Sequence, residues 1–201
     1  WVYEHLEFLE TFAHIIPIHR CTGGSIEKKL YWGRQNGGKG FVQIPAYLSG
    51  LDGRGIGPRQ CTGEFKITPI QKEVRRLLGL SKGQRAAGKF KVEQWIGISL
   101  DEIQRAKPSD VSWIKRHYPL IFDRPTDRAE CSHWIQQRGY PLPKKSSCYF
   151  CPYHDDKTWL DLKRSDPALF ARAVQIDNDL RAGEMRCSDG LTKQQFLHSG
   201  L

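Results

Sequence analysis

The residues of this chain best suited to hold a metal or run redox chemistry are its six cysteines, and three of them fall within residues 131–154. Cys148 and Cys151 form a C-x-x-C turn followed at once by Pro152. Such a turn can aim two thiolates at one point, as a zinc ion or an iron–sulfur cluster requires. Cys131 lies upstream, and the loop YPLPKKSS that follows its helix can fold back, so a third thiol can reach the same centre. His133 and His154 are alternative donors. Cys61 stands far from the others, just ahead of a helical pattern. Spacing alone leaves three readings open. One is an iron–sulfur site on Cys61, Cys131, Cys148 and Cys151. The second is a structural zinc on those ligands, or with a histidine replacing a cysteine. The third is a redox pair or free thiols. Cys21 and Cys187 lie apart and read as ordinary thiols.

The elements that must position these residues follow from periodicity. Residues 1–13 carry apolar side chains at helical spacing. The run HIIPIH, residues 14–19, is short, apolar and β-branched, and it reads as a buried strand. Cys21-Thr22-Gly23-Gly24-Ser25 turns into a helix that runs through Leu30, as a capped turn or an anion-holding helix start. Residues 33–59 are glycine-rich and irregular, with an extended piece at 41–48. Residues 67–80 form a helix with Pro69 in its first turn and Ile70, Val74, Leu77 and Leu78 on one face. A basic loop spans 81–91, a strand 92–99 and a short helix 101–106. Residues 119–121 mark a further buried piece. A helix over 125–138 carries Cys131; its N-cap is Thr126 or Asp127, Asp127 with Glu130 has capping-box spacing, and Gly139 follows its end. Residues 156–180 are helical and broken at Asp166-Pro167, and the tail is a loop with a short final helix. Helix–strand alternation points to an α/β fold with a parallel sheet.

Composition narrows the class. At 201 residues, with 39% hydrophobic and 26% charged side chains, the chain is an ordinary globular one. No segment approaches the roughly 18 consecutive apolar residues of a membrane span. Six unevenly spaced cysteines favour a reduced, cytoplasmic protein over a disulfide scaffold. A net charge of +9 suits a polyanionic or nucleotide partner as well as a merely solvated basic surface.

Around Cys61 the chain reads CTGEFKITPIQKEVRRLL. This resembles the segment Cys-Cys-x-x-Arg-Lys-Val-x-Pro-Leu of assimilatory adenylylsulfate reductases. Cys61, Lys66, Ile67, Pro69 and Ile70 stand at the first cysteine, lysine, valine, proline and leucine positions, while Thr62 replaces the second cysteine and Phe65 the arginine. The later stretch GYPLPKKSSCYFCPYH is similar to the same family's Gly-Tyr-Pro, basic linker and C-x-x-C. WIGISLDEIQR, residues 95–105, loosely resembles its anion-approaching Gly-x-Arg-x-x-x-Ser-x-x-Arg stretch, with Gly97 matching and Arg105 one place short. The resemblance implies a phosphoadenylylsulfate-reductase-like member of the PP-loop, or adenine nucleotide α-hydrolase-like, superfamily. The implied cofactors are a 4Fe–4S cluster, with zinc as the alternative, and ATP or another adenine nucleotide. Cys131 is the candidate to replace the ligand lost at Thr62. Lys66, Arg105 and Lys107 are the candidates to face phosphate or sulfate.

Two departures shape the expectation. No Gly- and Ser-rich phosphate loop follows a first strand; Gly23-Gly24-Ser25 and Asn36-Gly37-Gly38-Lys39 are the nearest candidates. The chain opens at Trp1 inside a helical pattern, which reads as an N-terminal truncation. The tail ends QFLHSGL, without the family's catalytic Glu-Cys-Gly-x-His. The expected fold is therefore a three-layer Rossmann-like α/β sandwich with a mostly parallel sheet, lacking its first strand and phosphate loop. It divides into a PP-loop-type domain over 1–122 and a helical region with the C-x-x-C site over 123–201. The expected activity is sulfur transfer or nucleic-acid modification supported by the cluster, with nucleic acid as a candidate partner. The alternative is a non-catalytic, zinc-stabilised nucleic-acid-binding module whose surface is the basic loop with Trp134, Tyr149 and Phe150.

Overall fold

A computed structural model describes residues 2–35, 44–50, 53–86, 91–144, 146–183 and 194–198. The expectations for Asn36-Gly37-Gly38-Lys39, for Cys187 and for positions 87–90 of the basic loop lie outside the described residues. The chain is a mixture of helices and small sheets, and it divides into two compact units. Residues 1–18 and 76–146 form the first unit; residues 19–75 and 147–201 form the second. Positions 122 and 123 both fall in the first unit.

The first unit opens with helix α1 (Val2–Glu10). Phe8 and Phe12 project from one face of this helix and its exit turns, and both rings meet Tyr140, at 5.5 and 5.9 Å. The strand expected over 14–19 is absent. The amides of Ile15 and Ile16 donate to the carbonyl of Phe12, so the chain leaves α1 in tight turns that satisfy its own backbone. Pro17 then offers no N–H to a ladder, and Ile15 and Ile16 are 65% and 67% exposed. Strands β1 (Tyr47–Gly50) and β2 (Gly53–Ile56) belong to the second unit. Strands β3 (Val92–Trp95) and β4 (Ile114–His117) form a two-stranded parallel sheet in the first. A 3₁₀ turn at Leu100–Arg105 lies in their crossover. Trp113, Ile114, Tyr118 and Ile121 are the buried apolar side chains of this unit among the described residues.

The second unit is built on helices. Helix α2 (Ile26–Gln35) starts from a capped turn: Ser25 Oγ accepts from the amide of Lys28, and Thr22 Oγ1 from that of Gly24. A π-helical turn, Gly63–Ile67, leads into α3 (Thr68–Leu77). In the first unit α4 (Pro119–Phe122) and α5 (Arg128–Gln137) follow. The second unit then resumes with α6 (Asp156–Ser165) and α7 (Pro167–Arg181), which break at Asp166-Pro167 as the sequence predicts. Asp166 caps α7 by accepting from the amide of Leu169. The short final helix expected in the tail is replaced, among the described residues, by strand β5 (Gln194–Phe196), antiparallel to β1. Phe196 stacks on Tyr47 at 5.7 Å, and this contact across the sheet outweighs the weak local helical preference. Leu162, Ile176, Leu180 and Leu197 are fully buried at the centre of the unit.

Candidate functional site

The C-x-x-C turn is closed by its own backbone: the amide of Cys151 donates to the carbonyl of Cys148 at 3.0 Å. The amide of His154 donates to Cys151 in turn. Phe150, only 4% exposed, and the buried Pro152 pin the turn into the core. Tyr149 turns the other way, and its hydroxyl donates to Glu27 of α2 at 2.7 Å. The imidazole of His154 is buried, 2.7 Å from the hydroxyl of Ser147 and packed edge-on against Trp159.

Cys61 enters this site from the segment that begins the π-helical turn. The thiol of Cys148 is held above its ordinary pKa, first by burial and then by the negative character of Cys151 and of Cys61; the nearby Lys66 ammonium opposes the shift. Cys148 therefore has Cys151 and, from a distant segment, Cys61 as neighbours, with one cation beside it. An i→i+5 bond from the amide of Thr68 to the carbonyl of Gly63 widens the helix here. Such π-turns gather at functional sites because they re-aim side chains. All three cysteines are half-buried and carry no disulfide. Among the described residues, no three His, Cys, Asp or Glu side chains stand at metal-closing geometry. The donor set nevertheless suits a soft cation: three neighbouring half-buried thiols would lose their protons together only to a positive centre such as a metal ion or cluster.

The other expected site residues fall elsewhere. Cys131 lies on α5 in the first unit, where burial and then the carboxylates of Asp101, Asp127 and Glu130 push its thiol up. It lines a cavity of about 440 Å³ with Leu120, Trp134 and Ile135. Arg105 and Lys107 are also in the first unit. Arg105 pairs with Glu102 one turn away, and the backbone of Lys107 both donates to and accepts from the hydroxyl of Tyr118. Lys66 is the one candidate cation placed with the thiols. His133 is exposed and bonded to Gln137. Of the aromatics proposed for a nucleic-acid surface, Phe150 is core and Tyr149 is tied to Glu27; the face of Trp134 carries the Arg138 guanidinium at 3.9 Å. Cys21 is exposed and stands apart.

Sequence reasoning missed the polar network behind the turn. Glu27 receives Tyr149 on one carboxylate oxygen and the guanidinium of Arg172 on the other. Arg172 lies over the ring of Tyr31, whose hydroxyl donates to Asp179 at 2.8 Å. Burial and that bond push the Tyr31 hydroxyl up to about 12. No helix among the described residues is long and apolar enough to cross a membrane. No family model, curated protein or solved structure matches the chain.

Proposed function

We propose that the second unit carries a thiolate-ligated centre, a 4Fe–4S cluster or in its place zinc. On this reading the chain is a phosphoadenylylsulfate-reductase-like enzyme that acts on an adenine nucleotide. The observation that carries the reading is the approach of Cys61 and Lys66 to Cys148 of the C-x-x-C turn. The two segments that bear the family resemblance are thereby joined through the residues on which the resemblance rests. The parallel β3–β4 pair with its crossover supports the finer, three-layer Rossmann-like reading of the fold.

Each residue has a distinct task in this proposal. Cys61, Cys148 and Cys151 supply thiolates from within the second unit, and Cys131, the fourth ligand expected from the sequence, lies in the first unit and has no part in this centre. Lys66 stabilises negative charge on the thiolates and on an anionic substrate near them. Arg105 and Lys107 lie in the first unit and have no part in this centre, so Lys66 is its candidate for meeting an anionic substrate. When bound, the cluster supplies electron or sulfur-transfer chemistry, and zinc would supply structure alone. The proposed activity is sulfur transfer or nucleic-acid modification, and the +9 charge suits a nucleic-acid acceptor.

The test is metal, iron and labile-sulfide analysis of anaerobically purified protein. Wild type should be coloured and contain iron and sulfide, Cys61→Ser, Cys148→Ser and Cys151→Ser should each abolish most of the content, and Cys131→Ser should leave it. A colourless protein with one tight zinc would replace the cluster by the zinc reading. Protein free of any metal would end both.

A further inference from the structure

The turn that presents Cys148 and Cys151 and the segment that presents Cys61 both rest on one helix. Toward the C-x-x-C turn, α2 offers Glu27. Its Oε2 accepts from Tyr149 at 2.7 Å, and its Oε1 accepts from Nε of Arg172 at 2.7 Å. Toward the Cys61 segment, α2 offers Lys29, which bonds Glu64 at 2.6 Å and lies 5.4 Å from the centre of the Phe65 ring. The turn that starts α2 is just as close. A side chain at Gly23 would put its Cβ 2.9 Å from the Cα of Phe65, so the backbones meet there only because Gly23 has none. A single stretch of seven positions, 23–29, therefore touches both thiol-bearing segments.

We propose that Glu27 and Lys29 are positioning residues, and that the start of α2 is the template that sets the spacing of Cys61 against Cys148 and Cys151. The inference deepens the thiolate-centre reading above and rests on it for its purpose. The physical argument concerns freedom. Tyr149 sits between the two cysteines of the turn, so committing its hydroxyl to a carboxylate held by Arg172 fixes the ring and with it the backbone that aims both thiols. Outer partners of this kind typically alter metal affinity roughly 10–100-fold when removed. Glu27 touches no thiol, so it acts through Tyr149 and not on the metal.

The experiment uses the full chain, reduced and chelator-treated, with native-state alkylation of each cysteine by iodoacetamide read by peptide mass. A second arm measures cobalt and zinc affinity. Glu27→Gln and Tyr149→Phe should each speed alkylation of Cys148 and weaken cobalt and zinc binding by roughly tenfold. The double variant should be no faster than Glu27→Gln alone, because both act through one contact. Glu27→Asp should recover part of the protection, and exposed Cys21 should label at the wild-type rate throughout. Lys29→Met should speed labelling of Cys61 in the same way. Unchanged rates at Cys148 and Cys61 would overturn the proposal. Equal acceleration at every cysteine would also overturn it, since that marks loss of fold and not of position. The metal arm separates the two claims. A wild type that binds no metal but shows the site-selective rates sinks the thiolate-centre reading and leaves the template. A wild type that binds metal, with variants that match it in both arms, does the reverse.

Discussion

Asp177 lies on α7 with no exposed surface, and its carboxylate does two jobs. One oxygen accepts from the backbone amide of Leu197, just past β5; the other pairs with Arg181, whose guanidinium also donates to the carbonyl of His198. A buried carboxylate is tolerated only when charge and hydrogen bonds both compensate it, and here the compensation is also what fastens the tail to the core. Asp177→Ala should therefore cost about 3 kcal/mol in urea unfolding, the low end for breaking a buried pair because Arg181 stays partly in water. A loss within the ~0.5 kcal/mol typical of surface changes would show that the tail is not held there. Within QIDNDLRAGE the spacing of Asp177 and Arg181 reads as an ordinary helix-surface pair, since the amide that completes the site lies twenty positions away and the burial depends on a strand that the local sequence does not specify. The cysteines were legible for the opposite reason: thiols in a C-x-x-C turn announce their chemistry by type and spacing. Glu27 and Arg172 look like ordinary helix-surface charges, and only the fold pairs them.

At the scale of elements, the features read correctly were those that a few adjacent residues decide. The capping box on α5 is complete: the carboxylate of Asp127 accepts from the amide of Glu130, and that of Glu130 accepts from the amide of Asp127, both at 2.8 Å. Gly139 follows at a positive φ of 67° that favours glycine. The break at Pro167 was equally local. Asp127→Ala should lower stability by roughly 1 kcal/mol, the usual loss for an N-cap, seen as a lower thermal midpoint with little change in helical signal. An unaltered midpoint would mean that the box is ornamental to α5. The strand expected over 14–19 failed because a β-branched run needs a partner, and this one finds its hydrogen bonds within the exit turns of α1. The same limit applies to α3. Its pattern is correctly helical, yet Ile70 and Leu77 are exposed, because periodicity shows which side chains share a face and not what covers it.

For the whole molecule the governing quantity is charge. The chain carries +9 at neutral pH, and acidification adds to it by protonating carboxylates. Glu27 is held below the usual glutamate range: burial alone would raise it, but the bonds from Tyr149 and Arg172 outweigh that cost. Asp101, in the first unit, is lowered chiefly by a hydrogen bond from Ser99. A carboxylate with a depressed folded-state pKa takes up its proton first in the unfolded chain. Its stabilisation is thus complete above the ordinary carboxylate values of about 4 and is lost as pH falls through the lower, folded-state value. Wild type should accordingly keep a level thermal midpoint down to about pH 5 and lose it steeply below about pH 4, as growing positive charge adds self-repulsion. Glu27→Gln should start lower at pH 7 and fall less steeply, so the two curves converge in acid. Circular-dichroism melts from pH 7 to pH 3 would decide it. Parallel curves would show that the Glu27 carboxylate gains nothing from Tyr149 and Arg172, and would remove the electrostatic footing of the network behind the C-x-x-C turn.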